Sequence, residues 1–197
     1  MLTVKLNNLR AVAHAMATKD VRYYLNGVYA QGNGALVRVT ATDGHRLHMA
    51  DATTGEPVGA IESVIVPADI VKAVLKAANK FDETVTLEQV NATRWVAKLA
   101  SGLGLEFSPI DGRFPDYTRV IPQGTFKPED AKPGSYEWDY LTDVIKGYAD
   151  YVGEKKARIY IHQRGTDSAI ASCAGFTAVV MPMRVDAESV YVDTKAI

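Results

Sequence analysis

Asp43 and His45 flank Gly44, and an acid close to an imidazole is a pairing used in general acid–base catalysis. Residues two apart in a tight turn rarely face each other productively, and no third group is fixed by the sequence. Asp-Gly is a common turn pair, which is the simpler reading of Asp43-Gly44. His14, His45, His48 and His162 have no paired metal spacing, and Cys173 has no cysteine partner. A phosphate-binding glycine loop and a Gly-x-Ser-x-Gly elbow are both missing. No catalytic residue, metal ligand or cofactor is therefore expected. The remaining chemistry is adhesive, carried by rows of lysine, arginines and adaptable methionines.

Three short segments carry most of that chemistry. The first joins Asp20-Val-Arg-Tyr-Tyr-Leu-Asn-Gly27 with Ala41-Thr-Asp-Gly-His-Arg-Leu47. The second is Asp111-Gly-Arg-Phe-Pro-Asp-Tyr117 with Arg119-Val-Ile-Pro122. The third is Val179-Val-Met-Pro-Met-Arg184. Each alone is a turn or a strand end, and by spacing alone Val179–Arg184 reads first as a core edge strand.

Bulk composition sets the class. The 197 residues suffice for one large or two small domains. Hydrophobic residues make up 47% and charged residues 23%, an ordinary globular balance. No apolar run is long enough to cross a bilayer, and Met1-Leu-Thr-Val-Lys-Leu6 is too short and alternating for a signal peptide. With one cysteine, a cytoplasmic protein without internal disulfides is the expectation. The net charge of −1 argues against binding nucleic acid by overall attraction but allows a local basic face.

The elements repeat a strand, an amphipathic helix and further strands three times. In the first unit, Leu2–Leu6 alternates as a strand and Asn7 or Asn8 can cap a helix whose stripe is Leu9, Val12, Ala13 and Met16. Strands are expected at 23–30, 36–41 and 46–51, with turns at Gly32-Asn-Gly34 and Asp43-Gly44. The second unit runs from Ile61 to about Asp116. Pro67 opens its helix, Ile70, Val71, Val74, Leu75 and Ala78 form the stripe, and strands follow at 84–89, 94–99 and 104–108. A Pro- and Gly-punctuated stretch, 118–134, reads as a linker. The third unit has a short strand at 136–138, Asp139 as helix cap, the stripe Leu141, Val144, Ile145, Tyr148 and Val152, and Gly153 as stop. Strands are expected at 158–162, 168–172 and 176–184, and one more at 189–192.

Taken together and in order, the three segments resemble the bacterial sliding clamp, the beta subunit of the replicative DNA polymerase. The resemblance implies an α+β fold, the DNA clamp fold, with helices on one face of antiparallel sheets. It implies a complete clamp domain at 1–117, a linker at 118–134, half of a domain at 135–185 and a tail at 186–197. It also places a peptide-binding pocket where the segments meet. Carried over by motif, its lining is Leu25, Thr42, Gly44, His45, Arg46, Leu47, Pro115, Arg119, Val120, Tyr140, Val179, Val180, Met181, Pro182, Met183 and Arg184. Apolar side chains and adaptable methionines suit an extended peptide with hydrophobic anchors, and the arginines suit its polar atoms.

The family also implies a DNA face. Lys72, Lys76 and Lys80 recur every four residues along one helix side, with Arg10 and His14 on the first helix. Such rows also serve as plain solvated faces. Lys19, Arg22, Tyr23 and Tyr24 form a loop suited to direct DNA contact, although at least one tyrosine is expected to pack. The partners implied are double-stranded DNA, the replicative polymerase, other proteins with clamp-binding motifs and a clamp loader. Family rings use twelve repeat units, so four copies of a three-unit chain, a homotetramer, would supply them. The alternatives are an adaptor or decoy that binds such peptides without a ring, and an assembly part that needs a separate full-length clamp.

Overall fold

The computed structural model describes residues 1–184, and for residues 33, 54–61 and 128 the backbone alone. Nine strands and three α-helices are formed among these residues. β1 (Leu2–Lys5) leads into α1 (Leu6–Ala13). The long β2 (Gly27–Thr42) and β3 (Arg46–Pro67) form a hairpin, followed by α2 (Ala68–Ala77), β4 (Thr84–Gln89), β5 (Trp95–Leu99) and β6 (Gly104–Phe107). After the 118–134 stretch come α3 (Trp138–Val152), β7 (His162–Arg164), β8 (Asp167–Cys173) and β9 (Phe176–Val180).

Two antiparallel sheets result, ordered β1-β4-β5-β6 and β2-β3-β9-β8-β7. The second draws on both ends of the chain, because Arg46–Ala50 of β3 pairs with Phe176–Val180 of β9. All three helices pack on the main core, which contains Leu2, Leu9, Val12, Val39, Val71, Val74, Val144 and Phe176. Each such side chain contributes about 1.5–3 kcal/mol through burial.

Several expectations are revised by local physics. Gly32-Asn-Gly34 is not a turn but a bulge within β2. The partners jump from Glu62 opposite Gly32 to Val58 opposite Gly34 and Thr53 opposite Leu36. Val28 and Ala30 face the main core before it, Val37 and Val39 after it, so the bulge switches the inward parity from even to odd positions. Neither Asn7 nor Asn8 caps α1. The Leu6 N–H is instead taken by the Glu83 carbonyl at 2.9 Å, and Asn7 accepts from Arg10. Residues 23–25 form a 3₁₀ turn rather than a strand start.

At the third unit, residues 136–138 form no strand. Tyr136 joins the β7–β8 hairpin through its side chain, its hydroxyl donating to the Asp167 carbonyl at 2.9 Å. Asp139 lies in the first turn of α3 and is not its cap, which is Glu137. Gly153 ends α3 at φ 75°, as its position suggested. Of the 158–162 strand only His162 enters a ladder. The ladder of β9 stops at Val180. The strand expected at 189–192 lies outside the described residues.

His48 sits at the junction of β3, α1 and α3 and is fully buried. Its Nδ1–H donates to the Ala11 carbonyl at 2.9 Å, and its ring meets Phe176 edge-on. Burial pushes its pKa from 6.5 down to about 4. The folded protein therefore holds this ring neutral where an unfolded chain would protonate it. The sign follows: stability from this site is complete above about pH 6.5 and is lost as pH falls toward 4, by about 3 kcal/mol in all. In an NMR titration, the His48 ring is expected to show no shift between pH 7.5 and about 5. A His48 ring that titrates within that range would contradict it.

Candidate functional site

The β2–β3 turn is built from its own side chains. The Asp43 carboxylate accepts from the N–H groups of His45 (2.9 Å) and Arg46 (3.0 Å). The Thr42 hydroxyl donates to the Arg46 carbonyl and accepts from the Gly44 N–H. Gly44 has φ 90°, a conformation costly for any residue with a Cβ. Asp43 is thus occupied by the turn, and His45 stacks on Tyr140 at 6.0 Å. No acid–base pair forms between them.

Strand alternation then sorts the neighbours. His48, Ala50, Phe176, Ala178 and Val180 point toward the helices, while Leu47, Met49 and Val179 point to the opposite face of the sheet. There they join Leu25, Phe114 and Tyr117 in a second, smaller cluster. Its edge opens as a cleft of about 190 Å³. Leu25, Leu47 and Val179 are its buried floor. Tyr24, Pro115 and Tyr117 are walls, and Arg22, Asp116, Val120 and Met181 stand at the rim. The Met181 N–H bonds to the His45 carbonyl at 2.8 Å, which continues the β3–β9 pairing to the rim.

Ten of the residues expected to line a pocket do line this cleft: Leu25, Thr42, Gly44, His45, Arg46, Leu47, Pro115, Val120, Val179 and Met181. The others do not line it. Val180 faces the main core by strand parity. Tyr140 stands behind Arg46, whose guanidinium lies 4.6 Å from its ring centre. Arg119 reaches back to Asp116 at 3.0 Å. Pro182, Met183 and Arg184 are outside the lining, with the Met183 N–H on the Ser135 carbonyl.

Arg22 and Tyr24, expected in a DNA-contacting loop, also line the cleft. Arg22 is clamped by Asp20, at 2.6 Å from NH2, and donates to the Asp43 carbonyl at 2.8 Å. Its hydrogen bonds hold the Asp20 carboxyl down at about 2. Asp116 and Tyr117 were missed as lining, although both belong to the second motif. Lys19 and Tyr23 are exposed. Lys72 and Lys76 are exposed on α2, but the helix ends at Ala77, so Lys80 leaves the row and lies over Phe81 at 4.9 Å. Arg10, Lys80 and Lys5 instead border one surface depression with Asp82 and Glu83. His14 pairs with Asp150 of α3 at 2.8 Å.

Arg46 ties the cleft to the third unit. It ion-pairs with Asp43 at 3.2 Å and with Asp143 of α3. Burial opposes the Asp143 charge, but Lys146 and Arg46 outweigh it and hold this carboxyl below its ordinary value. Among the described residues no group of three or more His, Cys, Asp or Glu side chains could hold a metal, and no helix is long and apolar enough to cross a membrane.

Residues 3–116 match the family profile described as DNA polymerase III beta subunit, central domain. The chain belongs to the DNA polymerase III beta subunit family. It is 38% identical over 149 residues to a beta sliding clamp of Caulobacter vibrioides, covering 74% of this chain and 38% of that protein. To a beta sliding clamp of Vibrio cholerae it is 38% identical over 121 residues, covering 57% of this chain and 30% of that one. It thus spans about a third of the length of these curated relatives. The solved DNA polymerase III subunit beta of Pseudomonas aeruginosa superimposes with a TM-score of 0.74 at 23% identity, over 93% of this chain and 66% of that chain. The sliding clamp of Bacillus subtilis gives 0.74 at 18% identity, over 94% and 64%. The α+β clamp fold is therefore shared across the chain, including the part beyond residue 116.

Proposed function

We propose that this chain is a compact, non-catalytic sliding-clamp processivity factor that tethers partner proteins to duplex DNA through the cleft at Leu25, Leu47 and Val179. What supports the reading is the cleft itself: three segments far apart in sequence meet there, with an apolar floor and adaptable Met181 and Val120 at the rim. Its ligand is an extended peptide with hydrophobic anchors, carried by the polymerase or another replication protein. Residues 1–117 act as one complete clamp domain, 118–134 as its connector and 135–185 as half of a second. Duplex DNA passes on the side of the helices, with Lys72 and Lys76 toward its phosphates and Lys19 and Tyr23 at the edge. A homo-oligomer, four chains for twelve units, closes the ring, with a clamp loader opening it.

The second reading is an adaptor or decoy that binds the same peptides without encircling DNA. It draws support from the cleft being formed within a single chain. Retention on DNA separates the two. A ring is expected to stay on closed circular DNA through a high-salt wash and to slide off once the circle is cut, because salt screens contacts but not topology. Equal retention on circular and linear DNA would favour the adaptor and overturn the ring.

A further inference from the structure

The face of α3 that turns away from its own chain has the composition of a buried seam. Trp138, Ile145 and Val152 recur every seven residues and are 75%, 47% and 36% exposed. Thr142 and Ala149 fall between them, completing the alternating four-and-three spacing of a helix–helix contact. The inward face is separate. Val144 is buried, and Gly147 meets Ala11 and His48. α1 is packed against both α2 and α3, whereas among the described residues α3 has α1 as its main helix neighbour.

We propose that this stripe is an isologous interface with α3 of a second copy of the chain, the helices running antiparallel about a two-fold axis at Ile145. The charges select this occupant. Glu137 and Asp139 are exposed at the start of α3, and Glu154, Lys155, Lys156 and Arg158 are exposed just past its end, where the cations are in excess. Antiparallel packing sets the acidic end of one helix beside the basic end of the other, twice over, and stacks Trp138 on Val152 of the partner subunit. A parallel pair would oppose like charges, and a polyanion would be repelled at the acidic end. The inference deepens the homo-oligomeric part of the proposed function: two single third units join, and two such dimers hold twelve units.

Light scattering on the full chain tests it, with thermal unfolding as a fold control, since half-exposed Ile145 is not a core position. The wild-type mass is expected to be an even multiple of 21.4 kDa, and Ile145→Asp to halve it. Glu137→Lys with Asp139→Lys is expected to weaken association at least ~10-fold. Adding Lys155→Glu and Lys156→Glu is expected to restore it, which only an antiparallel contact allows. A wild-type monomer overturns the inference and the ring together, yet a monomer that still binds peptide keeps the cleft. An oligomer that ignores Ile145→Asp and still holds circular DNA overturns this interface and spares the ring. Failure of the second charge pair to rescue the first overturns the antiparallel geometry.

Discussion

Gly147→Val is expected to unseat α3 and destabilise the protein by about 3 kcal/mol or more. A Cβ at Gly147 would stand 2.8 Å from the Ala11 carbonyl oxygen and 2.9 Å from His48 Nδ1. One contact is backbone and the other is a fully buried ring already bonded to that same carbonyl, so neither can step aside cheaply. The bare Cα is what lets α3 approach α1 and β3 closely. Urea unfolding of the variant beside Gly147→Ala measures the effect, with alanine expected to lose less. A midpoint like wild type for both would show that α3 does not dock as described.

Arg46→Met is expected to cost about 3 kcal/mol, although methionine fills a similar volume. Arg46 and its partners Asp43 and Asp143 are mostly buried, so removing the guanidinium leaves Asp143 with Lys146 as its one cation and Asp43 with the N–H groups of its turn. Asp143 is held below its ordinary pKa in this setting, so the contribution is present at neutral pH and fades as acid titrates the carboxyl through its folded value. The double variant Arg46→Met/Asp143→Asn is expected to recover part of the loss, because the under-compensated charge on α3 is gone. Equal loss in the single and double variants, measured by the same urea titration, would contradict the pairing. Both substitutions loosen the joint between the third unit and the β2–β3 turn, and the cleft edge at Met181 depends on that joint.

Much of this arrangement was legible in the residues. β4 occupies Thr84–Gln89, as its alternation indicates, and Gly153 stops α3. Motif order brought ten of the named residues to one cleft. What failed did so where a distant contact outbid a local signal. Asn7 and Asn8 are good caps, but the Glu83 carbonyl, 77 positions on, already satisfies the helix start. Gly32-Asn-Gly34 has turn chemistry, but β3 pairs on both sides of it and turns it into a bulge. Val180 was grouped with Val179, yet period-two alternation puts the two on opposite faces. The place of Arg22 at the cleft rim was not legible either, because only the folded chain sets Asp20 and the Asp43 carbonyl beside it. Gly147 gives no sign in the sequence of its role, because a glycine inside a helix is read as a weakness until the neighbour it admits is known.

The central claim is that the cleft captures a peptide, and titration calorimetry tests it most directly. The titrant is a short extended peptide with two hydrophobic anchors, taken from a clamp-binding segment of a replicative polymerase. The comparison is wild type against Val120→Asp/Met181→Asp. These rim residues are 43% and 42% exposed, so the fold tolerates the change, whereas Leu47, 3% exposed, would confound binding with unfolding. The account predicts saturable binding at one peptide per chain, weakened at least ~10-fold by the double substitution. No binding to wild type, or equal affinity in the variant, would contradict it.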